Sequence, residues 1–583
     1  MTSPLSRGSP YCWEPCTSSP TPPSTSCKPW QIPGSHCEAR SASANRHHPK
    51  EIRVTSTNTR VASAAFCAAT VLVAVTACGG KTSSSGGDAK PPTDGVLVLG
   101  LNGDIGQPPD PDIYYANNGV AIIQNVYEGL VKYQDGVDRP DIAPALATSW
   151  TVNPQNTVFT FTLRDGVTFH DGTPFDSSAV KASFDRRTAV NGGPAYMVAG
   201  VQGVATPDAR TAVVTLKEPN SAFLDYLASP FGPKMESPAG LVKNAGADHA
   251  QDFLSKHDLG TGPYELSKAE TGREYDLTAY PGYWGQKSPF TTVRLTVYND
   301  VSALQLALDN GDVAGAVNAL PSSNLKRYQS LSSVTNHFLP TLGAALLTLN
   351  PSKDFFRTQP ARAAFLQMID QKKLVSDVMG DTSEVATTMY GKGMIPGGAD
   401  QQHITYDPTV MAAYAKTLPP NTEMTLGYAT GNENAQKMAN IVVAQLQTMG
   451  IRASAQAYPT ATVFSWPNDP TKGPDAFVDG SNGPDGGNPY MWGHVFWDKS
   501  GGINYFLCDS PAVDGMLDDA VKTGDIATYV KAGDAYGATG CYMTLAYNKD
   551  WVVAQKWLGN VENAHNIGSF ELNFNQLTID APK

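Results

Sequence analysis

The residues Val61 to Ala77 form an apolar run without a charge, preceded by Arg60 and closed by Cys78-Gly79-Gly80-Lys81. A basic flank, an apolar stretch and small residues at its end are the pattern of an export signal. The run is rich in Ala, Ser and Thr, marginal for a spanning helix, and it leads into the flexible polar stretch GGKTSSSGGDAKPPTDG. No second long apolar run follows it. The chain beyond Cys78 is therefore expected to fold outside the cytoplasm around water-excluded cores of its own.

Val75-Thr76-Ala77-Cys78 resembles the lipobox of bacterial lipoproteins, in which the cysteine sulfur receives a diacylglycerol and becomes the first residue of the mature protein. An uncleaved N-terminal anchor helix is the alternative reading. No Arg-Arg pair precedes the run, which points to the general secretory route. The signal spans residues 54–77, and residues 78–95 form a tether. Residues 1–53 are rich in Pro and Ser, without helical or strand periodicity. Their cysteines, Cys12, Cys16, Cys27 and Cys37, match no zinc spacing. We read this segment as disordered and as an untranslated upstream extension, with Val54 as the initiator from a GTG codon.

The full chain has a formal net charge of −12 and only 16% charged residues. Such acidity argues against nucleic acid as a partner, which calls for a basic stripe. Val96 to Leu101 reads as a strand, and Ile122-Ile123, Val126-Tyr127 and Leu130-Val131 recur at helical spacing after it. VFTFTL, Val158 to Leu163, alternates as a half-buried strand, and turns follow at Arg164-Asp165-Gly166 and His170-Asp171-Gly172-Thr173-Pro174. Ser177 or Ser178 is expected to cap the helix running to Arg186. Ser302 to Asn310 and Asn434 to Met449 are helices closed by Gly311 and Gly450, flanked by strands at Val293 to Val297, Met424 to Tyr428 and Ile451 to Ala457. Strands and helices mix throughout, so the fold class is α/β.

LATSWTVNPQNTVFTFTLRDGVTFHDGTPFDSSAVKASFDR, Leu146 to Arg186, closely resembles the signature of the family 5 extracellular solute-binding proteins, the peptide-binding lipoproteins of ABC importers. Gly260 to Gly285, Ala361 to Gly380 and Gly502 to Val521 resemble further family motifs in the family's order. The resemblance implies a two-lobed clamshell of the periplasmic-binding-protein kind, with an extra subdomain inserted in the first lobe. On this chain the first lobe would comprise residues 96–129, 258–338 and 547–583, the insertion 130–257 and the second lobe 339–546. It also implies a ligand held between the lobes, delivery to an ABC permease with its ATPase subunits, no cofactor and a monomer anchored to the membrane by lipid. An oligosaccharide, a nickel chelate or haem is the alternative cargo on the same fold. A secreted hydrolase is a third reading, which the absence of G-x-S-x-G, H-E-x-x-H and Walker sequences disfavours. No metal site is expected, and His170 and Asp171 read as holding a loop.

In this family an aspartate in a Gly-rich loop of the second lobe commonly holds the peptide ammonium. Aligning Asn488-Pro489 of DGSNGPDGGNPYMWGHVFW with the family's Asp-Pro places Asp485 on that aspartate, beside Gly486. A solvated aspartate in a flexible loop is the alternative. Trp492 and Trp497 are candidates to line the cleft, although aromatics so spaced on a helix are commonly core. After removal of everything before Cys78 and its lipidation, Cys508 and Cys541 are the remaining pair, read as a disulfide in an oxidising compartment or else as two buried thiols.

Overall fold

The computed structural model describes residues 89–580 apart from 117, 398–403, 509 and 570. The apolar run, Cys78 and residues 1–53 lie outside the described residues. No helix among the described residues is long and apolar enough to cross a membrane.

Alternation writes the strands. Val158–Leu163 buries Phe159, Phe161 and Leu163 and leaves the intervening threonines partly or fully exposed, the period-two pattern of a sheet with one covered face. It lies within a four-stranded antiparallel sheet with Ala147–Val152, Thr211–Leu216 and Val201–Asp208. Helix Ser177–Val190 belongs to the same region, and Phe184, Val180, Phe161 and Val214 share one apolar cluster.

The main sheet has eleven strands among the described residues. Two of them, Val334–Leu349 and Tyr542–Gln555, are long and antiparallel to one another. Their register is broken between Pro340 and Ala344. On one side of the break, Gly315–Val317 pairs with Val552 to Ala554 and leads through Val96–Asn102 and Thr292–Tyr298 to Glu274–Ala279 and Tyr264–Glu270. On the other side, Ala476–Asn482 pairs with Ala344 to Leu349 and leads to Glu423–Ala429 and Arg452–Tyr458. Each half has its own core, one around Leu99, Leu295 and Ile122, the other around Leu347, Phe365 and Met438. Two continuous strands thus join two lobes, and the irregular stretch at 340–344 is the point at which they can bend.

The parallel units explain the glycines. Thr292–Tyr298 is followed by helix Val301–Asn310, which ends on Gly311 at φ +76°, and Glu423–Ala429 by helix Glu433–Thr448, with Gly450 at φ +83°. Only a residue free of a Cβ adopts that left-handed turn cheaply. Two local expectations differ from the structure. The helix Val120–Val126 stops at Tyr127, and Leu130-Val131 enters a strand, because Tyr127 is extended (φ −120°, ψ 151°). The helix Ser177–Val190 is capped by Asp176, whose carboxylate accepts from the Ser178 N–H at 2.8 Å. An acceptor one residue earlier reaches the orphan amide just as well.

Cys508 and Cys541 are disulfide-bonded across a sequence separation of 33. The bond ties the segment after helix Pro489–Phe496 to the start of the long strand Tyr542–Gln555. In the chain-entropy estimate a loop of that length contributes roughly 3–4 kcal/mol. A protein carrying Cys508→Ala and Cys541→Ala together should melt several degrees lower by calorimetry. Reductant should then lower the melting point of the wild type and leave that of the double variant unchanged.

The interlobe cleft as candidate functional site

Asp485 stands just beyond the carboxyl end of Ala476–Asn482, which runs parallel to Glu423–Ala429. Crevices at the carboxyl ends of parallel strands are where open α/β sheets bind ligands. Its Oδ2 accepts hydrogen bonds from the hydroxyls of Tyr115 and Tyr196. Asp485 belongs to the second lobe, Tyr115 to a loop of the first and Tyr196 to the region of the four-stranded sheet. Burial pushes the Asp485 carboxyl above the usual carboxylate range, against the pull of the two phenol donors. A carboxylate so placed favours a cation that replaces lost hydration. Beside it the rings of Tyr226, Tyr196, Tyr115 and Phe231 form a chain of edge-on contacts, with centroids 6.0, 6.4 and 5.0 Å apart.

The loop behind Asp485 is packed too closely for side chains. A Cβ on Gly486 would lie 2.7 Å from the Met491 sulfur and 2.9 Å from the Tyr133 hydroxyl, and one on Gly487 would lie 2.1 Å from Pro140. The Gly487 N–H donates to the Tyr133 hydroxyl at 2.6 Å, and that hydroxyl donates to Asp225 Oδ1 at 3.1 Å. Asn488 caps helix Pro489–Phe496 through the Tyr490 N–H at 3.0 Å, and its amide donates to Asp225 Oδ2 at 3.2 Å. The amide resolves a problem of charge, since an aspartate at 488 would face the Asp225 carboxylate. Two further bonds join the same regions, Ser221 N–H to Val521 O at 2.7 Å and Asn156 Nδ2 to Lys522 O at 2.9 Å.

Trp492 does not take part. It is 0% exposed and packs on Phe496 at 4.5 Å between centroids, within the cluster of Leu342, Met389 and Tyr390. Trp497 lies in the same cluster. The helix that carries them turns its aromatic face into the second lobe's core, so the expectation that Trp492 meets ligand is corrected. Sequence reasoning missed Tyr115, Tyr196, Tyr133 and Asp225. The paired tyrosines of PDIYYANN were a visible signal, though nothing local ties them to Asp485.

His170 and Asp171 hold a turn. His170 Nδ1 pairs with Asp258 and Nε2 donates to Gly262 O at 3.0 Å, while Asp171 accepts from Ser237 Oγ at 2.5 Å. Burial alone would lower the His170 pKa, but Asp258 outweighs it and the value is raised. Asp110, Asp112 and Glu236 lie close enough together to suggest a cation site. Arg186 already fills it, with Nη1 2.8 Å from Asp110 Oδ1, 2.8 Å from Asp112 Oδ2 and 3.0 Å from Glu236 Oε1.

Asp225 should make the contact with the Asp485 loop sensitive to pH. Burial raises its carboxyl to about 6, opposed by the bonds from Asn488 and Tyr133. On opening, it would return to near 4. The proton is therefore held more tightly in the closed form, so closure is favoured fully below about pH 4 and that support is lost as pH rises through about 6, by up to a hundred-fold in the closing equilibrium. Small-angle scattering of the ligand-free protein between pH 4 and 7 should show opening with rising pH, and Asp225→Asn should flatten the profile. An identical profile in the variant would remove Asp225 from that role.

Two lobes joined by a pair of strands, with a half-buried carboxylate in the seam and tyrosines reaching it from the opposite side, define a two-lobed binding protein. The family described as bacterial extracellular solute-binding proteins, family 5 Middle, matches residues 141–503. The chain belongs to that family. It is 29% identical over 436 residues to the probable D,D-dipeptide-binding periplasmic protein DdpA of Escherichia coli, covering 74% of this chain and 83% of that protein. It is 24% identical over 496 residues to the nickel-binding periplasmic protein of the same organism, covering 78% and 90%. The periplasmic binding protein DppA of Helicobacter pylori, solved with the peptide STSA, superposes with a TM-score of 0.67 at 20% identity, over 83% of this chain and 98% of that one.

Proposed function

We propose that this chain is the extracytoplasmic substrate-binding component of an ABC importer and captures short peptides between its lobes. Asp485 is the observation that carries the reading. A half-buried carboxylate with two phenol hydroxyls suits the ammonium of a peptide, which is present whatever the side chains. Strand edges in the cleft would pair with the peptide main chain, and closure would exclude water. In this reading residues 96–129, 258–338 and 547–583 are the first lobe, 130–257 the inserted subdomain and 339–546 the second lobe. The chain acts as a monomer, performs no catalysis and hands its cargo to a permease with ATPase subunits. The nickel-binding relative supports a second reading, a chelate in the same cleft.

Native mass spectrometry of the chain from Gly79 to Lys583 tests the cargo. Masses of short peptides that leave on denaturation support the proposal, and a metal chelate or sugar alone would replace it. Cys78 is proposed as the lipid anchor after general secretion. Cys78→Ala should release the protein from the membrane fraction, and deletion of residues 1–53 should leave membrane attachment intact, both read by fractionation and immunoblot.

A further inference from the structure

A cavity of about 110 Å³ is lined by Gln124, Glu128, Lys132 and Tyr133, by the stretch from Ala228 to Lys234 and by the C-terminal segment from Asn566 to Gln576. A water occupies about 30 Å³ of liquid. The space therefore admits a few waters or one small ion and is too small for a peptide.

Its wall carries charges in unequal states. The Glu128 carboxylate is enclosed by Trp284 Nε1 at 2.9 Å, Thr261 Oγ1 at 2.8 Å and Tyr283 OH at 3.2 Å. Lys132 is paired with Asp135. Lys234 is different. It is 8% exposed, and among the described residues its ammonium makes one hydrogen bond, to Ser229 O at 3.0 Å. No carboxylate lies within ion-pair distance of it among the described residues. An ammonium has three donors, and a buried cation with two of them unused is costly unless something neutralises it. A neutral side chain such as methionine would fill the position without that cost.

We propose that this cavity binds a small oxyanion of carboxylate size through the Lys234 ammonium. Gln124, Asn573 and Ser569 complete the wall but are bonded among themselves and to Asp135, Gln124 Nε2 to Asn573 Oδ1 at 2.7 Å, Ser569 Oγ to Gln124 Oε1 and Asn573 Nδ2 to Asp135 Oδ1 at 2.8 Å, so the unused donors are those of Lys234. The guest would sit where the Val120–Val126 helix, the stretch before Lys234 and the C-terminal segment meet, and would bind these elements together. Burial, with Arg187 nearby, lowers Lys234 to about 7. Among the charged groups around it, Arg187 opposes protonation, and Glu128 and Lys132 are the other charges of the wall. Anion binding restores the proton, so affinity should fall as pH rises above 7. This inference does not rest on the peptide reading.

The test uses sodium formate as probe on the chain from Gly79 to Lys583, followed by thermal unfolding at constant ionic strength. Formate should raise the melting temperature in a saturable way, with apparent affinity nearly tenfold weaker at pH 8 than at pH 6.5. In Lys234→Met the affinity should drop at least tenfold. An equal response in both proteins, or none in the wild type, overturns the proposal. Should Lys234→Met fail to fold, wild-type crystals soaked in sodium bromide decide it. An anomalous peak beside Lys234 Nζ supports the site, and a cavity without one overturns it.

Discussion

Asp485→Ala should weaken binding of peptides with a free amino terminus by at least about thirty-fold, measured by calorimetry at pH 7. Truncating one partner of a buried, hydrogen-bonded charge pair costs about 2–5 kcal/mol, much of it from the unpaired charge left behind. Here the stranded charge would be the ligand's ammonium, left beside two phenols and a row of aromatic rings without its counter-charge. Asp485→Asn should lose nearly as much, because an amide keeps the shape and offers no charge. Circular dichroism and melting temperature should stay close to wild type in both variants, since the carboxylate is itself destabilised by burial. A variant that folds normally and binds as before would show that the ligand's charge is recognised elsewhere.

Arg186→Met should produce a large loss of stability. Arg186 is 6% exposed and bonds Asp110, Asp112 and Glu236 at once, with Nη2 2.6 Å from Asp110 Oδ2 and Nε 2.8 Å from His249 O. Breaking a buried pair from one side costs about 3–5 kcal/mol, because the remaining charge is uncompensated. Three carboxylates would remain here, of which Asp112 keeps its pair with Arg187 Nε at 2.7 Å while Asp110 and Glu236 lose their cation. Burial already raises Glu236 well above the ordinary range, and burial raises Asp110 against the pull of Arg186. In the variant both would rise further and take up protons on folding. The deficit should therefore be largest near pH 7 and shrink as pH falls, which scanning calorimetry at pH 5 and pH 7.5 would reveal. A deficit independent of pH would show that packing, not charge, is what the guanidinium supplies. The same cluster holds the loop bearing Tyr115, so ligand binding should weaken along with stability.

Much of the fold was legible because it is written in local periodicity. Phe159, Phe161 and Leu163 alternate with threonines, and Gly311 and Gly450 punctuate two helices, so strands and helix ends could be placed from neighbouring residues alone. Errors came where competing local signals were close in energy. Asp176 and the serines after it are all capable caps, and only the backbone of the folded chain chooses among them. Tyr127 leaves the helix although the apolar spacing continues, because Leu130 and Val131 are buried by strand pairing and by the core of the four-stranded sheet region.

The site was legible in part. Asp485 stood out as an acid in a glycine-rich loop, but its partners are 370 and 289 residues away in sequence. Nothing in a local pattern joins Tyr115 or Tyr196 to it. Trp492 misled because an aromatic beside a binding loop looks the same whether it faces ligand or core. What separates the two is its 0% exposure against Phe496, a property of tertiary packing. Asn488 was visible as a departure from the family pattern, and its meaning appeared only when Asp225 was found opposite it.

In the proposed function the cleft recognises the amino terminus of a peptide through Asp485. Calorimetry of the wild type with a set of di-, tri- and tetrapeptides, each as the free amine and as its N-acetyl derivative, decides whether it does. At least one free peptide should bind, acetylation should weaken it by about thirty-fold or more, and Asp485→Ala should erase the difference between the two forms. Equal binding of free and acetylated peptides, or binding of neither alongside tight binding of a metal chelate or sugar, would contradict it.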